Sequence, residues 1–322
     1  AVTSGHAHSA VLFAVETAIS TVPFAVGLSV PFQHRACPRE QETNPSTKPL
    51  DSTNNHRLRY AFRSHEPNPA HMSHELDHVM MRVEDLDESL DWYTTHLDYE
   101  EKGRWEADTF TNVFLGPEDV HDDGALLELT YNHDGRSYDM GDAWGHIAVR
   151  VEDVEEAYAE LMDEGVEDYR PPEENPGYAF VTDPDGHEIE IVERDHGARW
   201  SLDHTMIRVE DADASIGWWS RKMGYEPAGR WEADTFANYF LAPADAAEEA
   251  MTVELTYNYD GSTYDQGDAW GHLAVACDDL EGFWETLQTR EAEDYRDPES
   301  CDYNYAFTKT FDGHEVEVVT RE

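Results

Sequence analysis

From residue 76 onward, apolar and polar positions follow two alternating rhythms. Residues 76–83 change character at every step, so that His78, Met80 and Arg82 fall on one face of a strand and Val79, Met81 and Val83 on the other. Leu86, Leu90, Tyr93 and Leu97 then follow at helical spacing behind Asp85, a residue type that caps helix N-termini. Strand patterns come next and end in 126–132. The order then restarts with a strand at 145–151, a helix at about 154–164, and strands at about 177–182 and 187–193. The turn sequence Asp183-Pro-Asp-Gly186 separates the last two. The pattern predicts an α+β protein built of β-α-β-β-β modules.

The whole pattern occurs twice. Arg104-Trp-Glu-Ala-Asp-Thr-Phe110 returns unchanged at 230–236, Glu128-Leu-Thr-Tyr-Asn132 at 254–258, and Gly141-Asp-Ala-Trp-Gly-His146 at 267–272. The offset is 126 residues, rising to 127 after an insertion near 300. A unit of that length is a duplicated domain, not a solenoid repeat. Four modules, two per half, are expected, with domains at 72–198 and 199–322.

Charge divides the chain at the same place. It carries 22 Lys+Arg against 70 Asp+Glu, a formal net charge of −48, and only four lysines, Lys48, Lys102, Lys222 and Lys309. Such acidity repels nucleic acid and anionic membrane. Acid-rich, lysine-poor surfaces suit a salt-filled cytoplasm, where ionic strength screens self-repulsion, so a halophilic source is expected. Residues 1–71 hold six basic and five acidic residues and lack apolar periodicity over 44–71. They are expected to be a disordered or non-native extension, with Met72 as the natural start. The apolar stretch 9–32 contains Glu16 and Pro23 and has no basic residue before it, which argues against a signal peptide or membrane helix. Three cysteines, Cys37, Cys277 and Cys301, make no disulfide framework and fit a reducing cytoplasm, with Cys277 expected to be buried in a strand.

The candidate chemistry lies on the polar faces of the strands. His78, Glu128, His146 and Glu190 each stand opposite an apolar face, and His204, Glu254, His272 and Glu317 repeat them. A single strand histidine is more often a hydrogen-bonded structural residue, and a single glutamate is usually solvated. Eight positions at matched offsets, two imidazoles and two carboxylates per set, point instead to metal ligands. Mixed nitrogen and oxygen donors suit Zn, Ni, Co or Mn, and the absence of thiolates argues against a structural zinc.

The strings His78-Val-Met-Met-Arg-Val83, Leu127-Glu-Leu-Thr-Tyr-Asn132, Trp144-Gly-His-Ile-Ala-Val149 and Asp183-Pro-Asp-Gly-His-Glu-Ile-Glu190 resemble lactoylglutathione lyase, or glyoxalase I, of the vicinal-oxygen-chelate superfamily. The resemblance spans nearly all of 76–322, twice over. It implies paired half-barrels with a metal in the cleft between modules. The implied ligands are His78, Glu128, His146, Glu190, His204, Glu254, His272 and Glu317. A histidine at the first ligand position resembles the type that prefers nickel or cobalt to zinc, with two ions per chain. In the bacterial relatives each site is shared between two chains; fusion implies a monomer whose sites form across its halves, His78 and Glu128 with His272 and Glu317, and His204 and Glu254 with His146 and Glu190.

The same resemblance implies isomerisation of the hemithioacetal of methylglyoxal and a thiol, with Glu190 and Glu317 as the bases. Arg82, Asn132, Arg208 and Asn258 would hold the γ-glutamyl end of that thiol. Trp144 and Trp270 either line the pocket or pack in the core. Glutathione-using relatives commonly carry a lysine before the strand that precedes the D-P-D-G turn. The stretches 171–178 and 297–304 have no base, so γ-glutamylcysteine is expected ahead of glutathione. Two other readings remain open: an epimerase or extradiol dioxygenase of the same superfamily, or a binding protein without turnover.

Overall fold

The computed structural model describes residues 74–120, 124–172 and 177–320. The expected extension at 1–71, the apolar stretch within it and Cys37 lie outside the described residues. So do residues 173–176. All described residues fall within one compact unit, residues 55–322.

The first module contains β1 (Leu76–Val83), α1 (Leu86–His96), β2 (Tyr99–Glu106), β3 (Phe110–Pro117) and β4 (Leu126–Asn132). The second contains β5 (Trp144–Val151), α2 (Val154–Glu164), β6 (Tyr178–Thr182) and β7 (Glu188–Glu193). The second half repeats them as β8 (Leu202–Arg208), α3 (Ala212–Trp218), β9 (Tyr225–Glu232), β10 (Phe236–Pro243) and β11 (Thr252–Asn258), then β12 (Trp270–Cys277), α4 (Leu280–Thr289), β13 (Tyr305–Lys309) and β14 (Glu315–Thr320). Each helix begins at an aspartate whose side chain accepts from backbone N–H groups of the first turn: Asp85, Asp153, Asp211 and Asp279. Such a cap contributes about 1 kcal/mol.

The modules differ from expectation in one respect. In the second and fourth, the first of the three strands after the helix shrinks to a single bridge, Arg170 to Phe180 and Arg296 to Phe307. Proline explains this: Pro171-Pro172 follow directly, and Pro298 follows after Asp297, and none donates a backbone N–H, so the ladder stops.

Two seven-stranded sheets result, in the orders β13-β14-β12-β1-β4-β3-β2 and β6-β7-β5-β8-β11-β10-β9. Neither sheet belongs to one half of the sequence. Antiparallel pairing of β1 with β12 joins the first module to the fourth, and β5 with β8 joins the second to the third. Strand alternation sends one face to the core: Val79, Met81, Val83, Leu127 and Leu129 are fully buried, as are Ile147, Val149, Ile189 and Ile191. The other face carries the histidines and glutamates. Cys277 is buried as expected, and burial pushes its thiol up to about 12.

The connections 133–143 and 259–269 lie against each other. Asp142 donates its N–H to Asp265 O at 2.8 Å, and Asp268 to Asp139 O at 2.7 Å. Gly141 and Gly267 have φ of +60° and +62° at this crossing. A Cβ on Gly141 would fall 2.4 Å from Asp265 O, so only glycine lets the two segments meet. Among the described residues, no helix is long and apolar enough to cross a membrane.

Candidate metal centres

Because β1 pairs with β12, His78 and His272 stand on neighbouring strands. β4 and β14 flank that pair and bring Glu128 and Glu317 to the same point. His78 Nε2 lies 3.0 Å from His272 Nε2, 3.0 Å from Glu128 Oε2 and 3.1 Å from Glu317 Oε2. His272 Nε2 lies 2.9 Å from Glu317 Oε2 and 3.4 Å from Glu128 Oε2. The second sheet repeats the cluster. His204 Nε2 lies 2.9 Å from both Glu190 Oε2 and Glu254 Oε2, and 3.2 Å from His146 Nε2. His146 Nε2 lies 3.0 Å from Glu190 Oε2. The structure therefore brings all eight predicted residues into two sets of four, and each set draws two residues from each half of the chain.

A β-bulge prepares each site. Leu76 and His78 oppose Val275 and Ala274, so Asp77 is an extra residue; Leu202 and His204 oppose Val149 and Ala148, so Asp203 is likewise extra. The bulge turns the aspartate toward its neighbouring imidazole. His78 Nδ1 donates to Asp77 Oδ2 at 2.8 Å, and His204 Nδ1 to Asp203 Oδ2 at 2.8 Å. A proton fixed on Nδ1 leaves the Nε2 lone pair facing the cluster.

The donor chemistry fits a divalent ion. Bonds of about 2.0–2.2 Å set cis donors on an octahedron about 3 Å apart, as most of these distances are. Without a cation, acceptors so close must share protons. Burial opposes charge on His78, yet Asp77, Glu128 and Glu317 overcome it and raise its pKa well above the ordinary value. Burial also pushes Glu128 up, but bonds to His272 and His78 prevail and hold its carboxyl at about 2. Glu190, Glu254 and Glu317 are held low in the same way.

A cavity of about 250 Å³ opens over the first cluster and holds Arg82 and Asn132; one of about 500 Å³ over the second holds Arg208 and Asn258. Each arginine spends one nitrogen on the neighbouring strand's carbonyls: Arg82 Nη1 on Asp268 O and Trp270 O, Arg208 Nη1 on Asp142 O and Trp144 O. Each asparagine donates to a tyrosine, Asn132 to Tyr138 and Asn258 to Tyr264, both at 2.7 Å. Trp144 and Trp270 take the core reading: both are buried, and they stack on each other.

Several lining residues escaped the sequence reading. Asn112 donates to Glu128 Oε1, steering that carboxylate. Phe114, Phe180, Phe240 and Phe307 set ring edges against the four histidines. Arg170 and Arg296 also line the cavities, each over a phenylalanine ring and each paired with a glutamate, Glu188 or Glu315. The stretches 171–178 and 297–304 hold no base, but a base stands directly before each of them. The isolated bridges, which pin Arg170 and Arg296 beside the phenylalanines, are what carry them in.

Comparison with known proteins agrees with this architecture. The model of the Glyoxalase/Bleomycin resistance protein/Dioxygenase superfamily matches residues 75–191 and again 201–318. A lactoylglutathione lyase of Arabidopsis thaliana is 32% identical over 213 residues, covering 63% of this chain and 74% of the relative. A probable chloroplastic lactoylglutathione lyase of the same plant is 32% identical over 212 residues, and the chain spans 59% of its length. The crystal structure of a glyoxalase I variant from Zea mays superposes with a TM-score of 0.69 at 26% identity, over 78% of this chain and 93% of that one. With matching repeats in both halves, the chain belongs to the Glyoxalase/Bleomycin resistance protein/Dioxygenase superfamily and, within it, to the lactoylglutathione lyases.

Proposed function

We propose that the chain converts the hemithioacetal of methylglyoxal and a γ-glutamyl thiol into the S-lactoyl thioester. The observation that carries this reading is the pair of complete two-histidine, two-glutamate clusters, each at the floor of a cavity that also holds an arginine and an asparagine.

His78, Glu128, His272 and Glu317 would hold one divalent ion, and His146, Glu190, His204 and Glu254 another. Nickel or cobalt is proposed ahead of zinc. Such an ion supplies Lewis-acid stabilisation for negative charge growing on two adjacent substrate oxygens. Arg82 and Arg208 keep nitrogens free of their carbonyl bonds to grip the γ-glutamyl carboxylate in a charge-assisted bond. Asn132 and Asn258, fixed by Tyr138 and Tyr264, present their amide oxygens to its ammonium. Glu317, or Glu190 in the other cavity, takes the proton from the sulfur-bearing carbon and returns it to the adjacent carbonyl carbon. Burial is the largest single influence on either carboxyl and favours basicity, but the imidazole bonds together outweigh it and hold both carboxyls low. Substrate closing the cavity excludes water and strengthens the effect of burial.

We further propose that the chain works as a monomer in the cytoplasm of a salt-accumulating organism, where ions screen its charge of −48. Protein stripped of metal and reloaded with nickel, cobalt or zinc should be given methylglyoxal and glutathione in molar salt. Thioester formation that depends on the ion is expected. Tight ion binding with no thioester from any γ-glutamyl thiol would overturn the catalytic reading.

A further inference from the structure

The two centres share their donors, bulges and aspartates, and differ in the residue that the adjacent strand sets behind the aspartate. At the second centre it is Arg150 on β5, 3% exposed. Its Nε donates to Asp203 Oδ1 at 2.8 Å, while Asp203 Oδ2 holds His204 Nδ1. Its other nitrogens donate to backbone: Nη1 to Glu249 O at 2.6 Å and Nη2 to Ala250 O at 3.3 Å. Arg194 adds two bonds of 2.9 Å to the same carboxylate. The chain between the halves closes over the group, for a Cβ on Gly197 would lie 3.0 Å from Arg150 Nη1.

At the matching place on β12, one repeat later, stands Ala276. Asp77 has contacts of its own, but β12 offers it no guanidinium there. The repeat position of Arg194 is residue 321, outside the described residues, so the distinction rests on Arg150.

We propose that Arg150 is a positioning residue that acts through Asp203 on His204, and so tightens the hold of the His146, Glu190, His204, Glu254 centre on its divalent ion. A carboxylate clamped on one oxygen presents the other at a fixed angle, and the imidazole it orients keeps its lone pair on the ion. Without the guanidinium, the carboxylate loses a bond that fixes its orientation and turns. Its bond to Nδ1 then slackens. Partners one step behind a metal ligand commonly alter affinity about 10–100-fold.

This inference rests on the metal reading above, and its test separates the two. Two single-centre chains are needed: His272→Gln, which keeps the second centre, and His146→Gln, which keeps the first. Cobalt or nickel affinity is measured in each by competition with a chelator, alongside the cobalt absorption spectrum. If neither chain binds metal, the metal reading falls and this inference falls with it. Adding Arg150→Ala should weaken binding about tenfold or more in the His272→Gln chain, with an altered cobalt spectrum, and leave the His146→Gln chain within about twofold. No change in the first chain, or equal losses in both as a general loss of stability would give, overturns the proposal. Should the alanine variant fail to fold by circular dichroism, Arg150→Lys keeps the charge and one donor. It should produce a smaller loss, again confined to the His272→Gln chain; unchanged affinity there overturns the proposal as well.

Discussion

Trp144 and Trp270 stack with their ring planes 5° apart and their centroids 5.1 Å from each other. One lies on β5 and the other on β12, so the pair joins the two sheets where the repeats meet. His187 sets an edge against Trp270 and His314 against Trp144. Trp144 also donates from Nε1 to Thr205 at 2.9 Å.

Trp270→Ala should therefore cost about 3–5 kcal/mol of stability, the range for removing a large buried aromatic. Each tryptophan sits two residues before a histidine of a cluster, so both centres should bind metal more weakly. Denaturant unfolding at fixed salt measures the first effect and chelator competition the second. A loss below about 1 kcal/mol would mean that the stack does not hold the sheets together.

The same interface contains two histidines that should answer acid in opposite ways. His314 is buried and donates from Nε2 to Arg208 O at 3.4 Å; burial lowers its pKa from 6.5 to about 4. The unfolded chain then binds a proton that the folded chain refuses. Stability from this group is complete above pH 6.5 and is lost as pH falls through about 4. At about 1.36 kcal/mol per unit, the loss is roughly 3 kcal/mol. For His187, burial also opposes charge, but Asp183 at 2.9 Å overcomes it and raises the pKa. That contribution is present below 6.5 and is lost as pH rises through the folded value. Thr310 stands where Asp183 does, and this one difference sets the sign. His314→Gln should flatten the fall in stability between pH 6.5 and 4, as followed by urea unfolding; an unchanged slope would rule the assignment out.

Glu190 and Glu317 should be separable. Each belongs to a different cluster, so Glu317→Ala should leave roughly half the turnover if the centres act independently, and the double change almost none. Initial rates at saturating hemithioacetal decide this. Near-complete loss from Glu317→Ala alone would show either coupled centres or a silent second one.

The eight-residue donor set was legible in the sequence because strand periodicity assigns faces and the repeat doubles every signal. His78, Glu128, His272 and Glu317 needed only period-two alternation to stand on polar faces. Their grouping across the halves depends on β1 pairing with β12, a contact 194 residues apart that no local pattern encodes. Asp77 and Asp203 were hidden for a related reason: alternation puts them on the apolar face, and only the bulge turns them toward the imidazoles. Tyr138 and Tyr264 lie in connections without periodicity, where sequence says little about what a side chain meets. Arg150 falls by alternation on the polar face with His146, but nothing local says that it meets Asp203.

Arg170 and Arg296 bear on the choice of thiol. Both line the cavities from the module opposite Arg82 or Arg208, where the far end of a γ-glutamyl thiol would emerge. Glutathione carries a glycyl carboxylate at that end; γ-glutamylcysteine ends one residue earlier. The acids at Asp297 and Glu299 would repel the carboxylate, and the two guanidiniums would attract it. Each guanidinium is already paired, with Glu188 or Glu315, and its side chain is nearly half exposed. Its pull in molar salt is therefore modest. Arg170→Ala with Arg296→Ala should raise KM for the glutathione adduct by a factor of about three to ten, within the energy of one exposed charge-assisted bond. KM for the γ-glutamylcysteine adduct and kcat for both should change by less than about twofold. The two KM values should move apart further as salt is lowered, provided the fold survives. Equal increases for both adducts would mean that the arginines shape the cavity without reading the thiol's end.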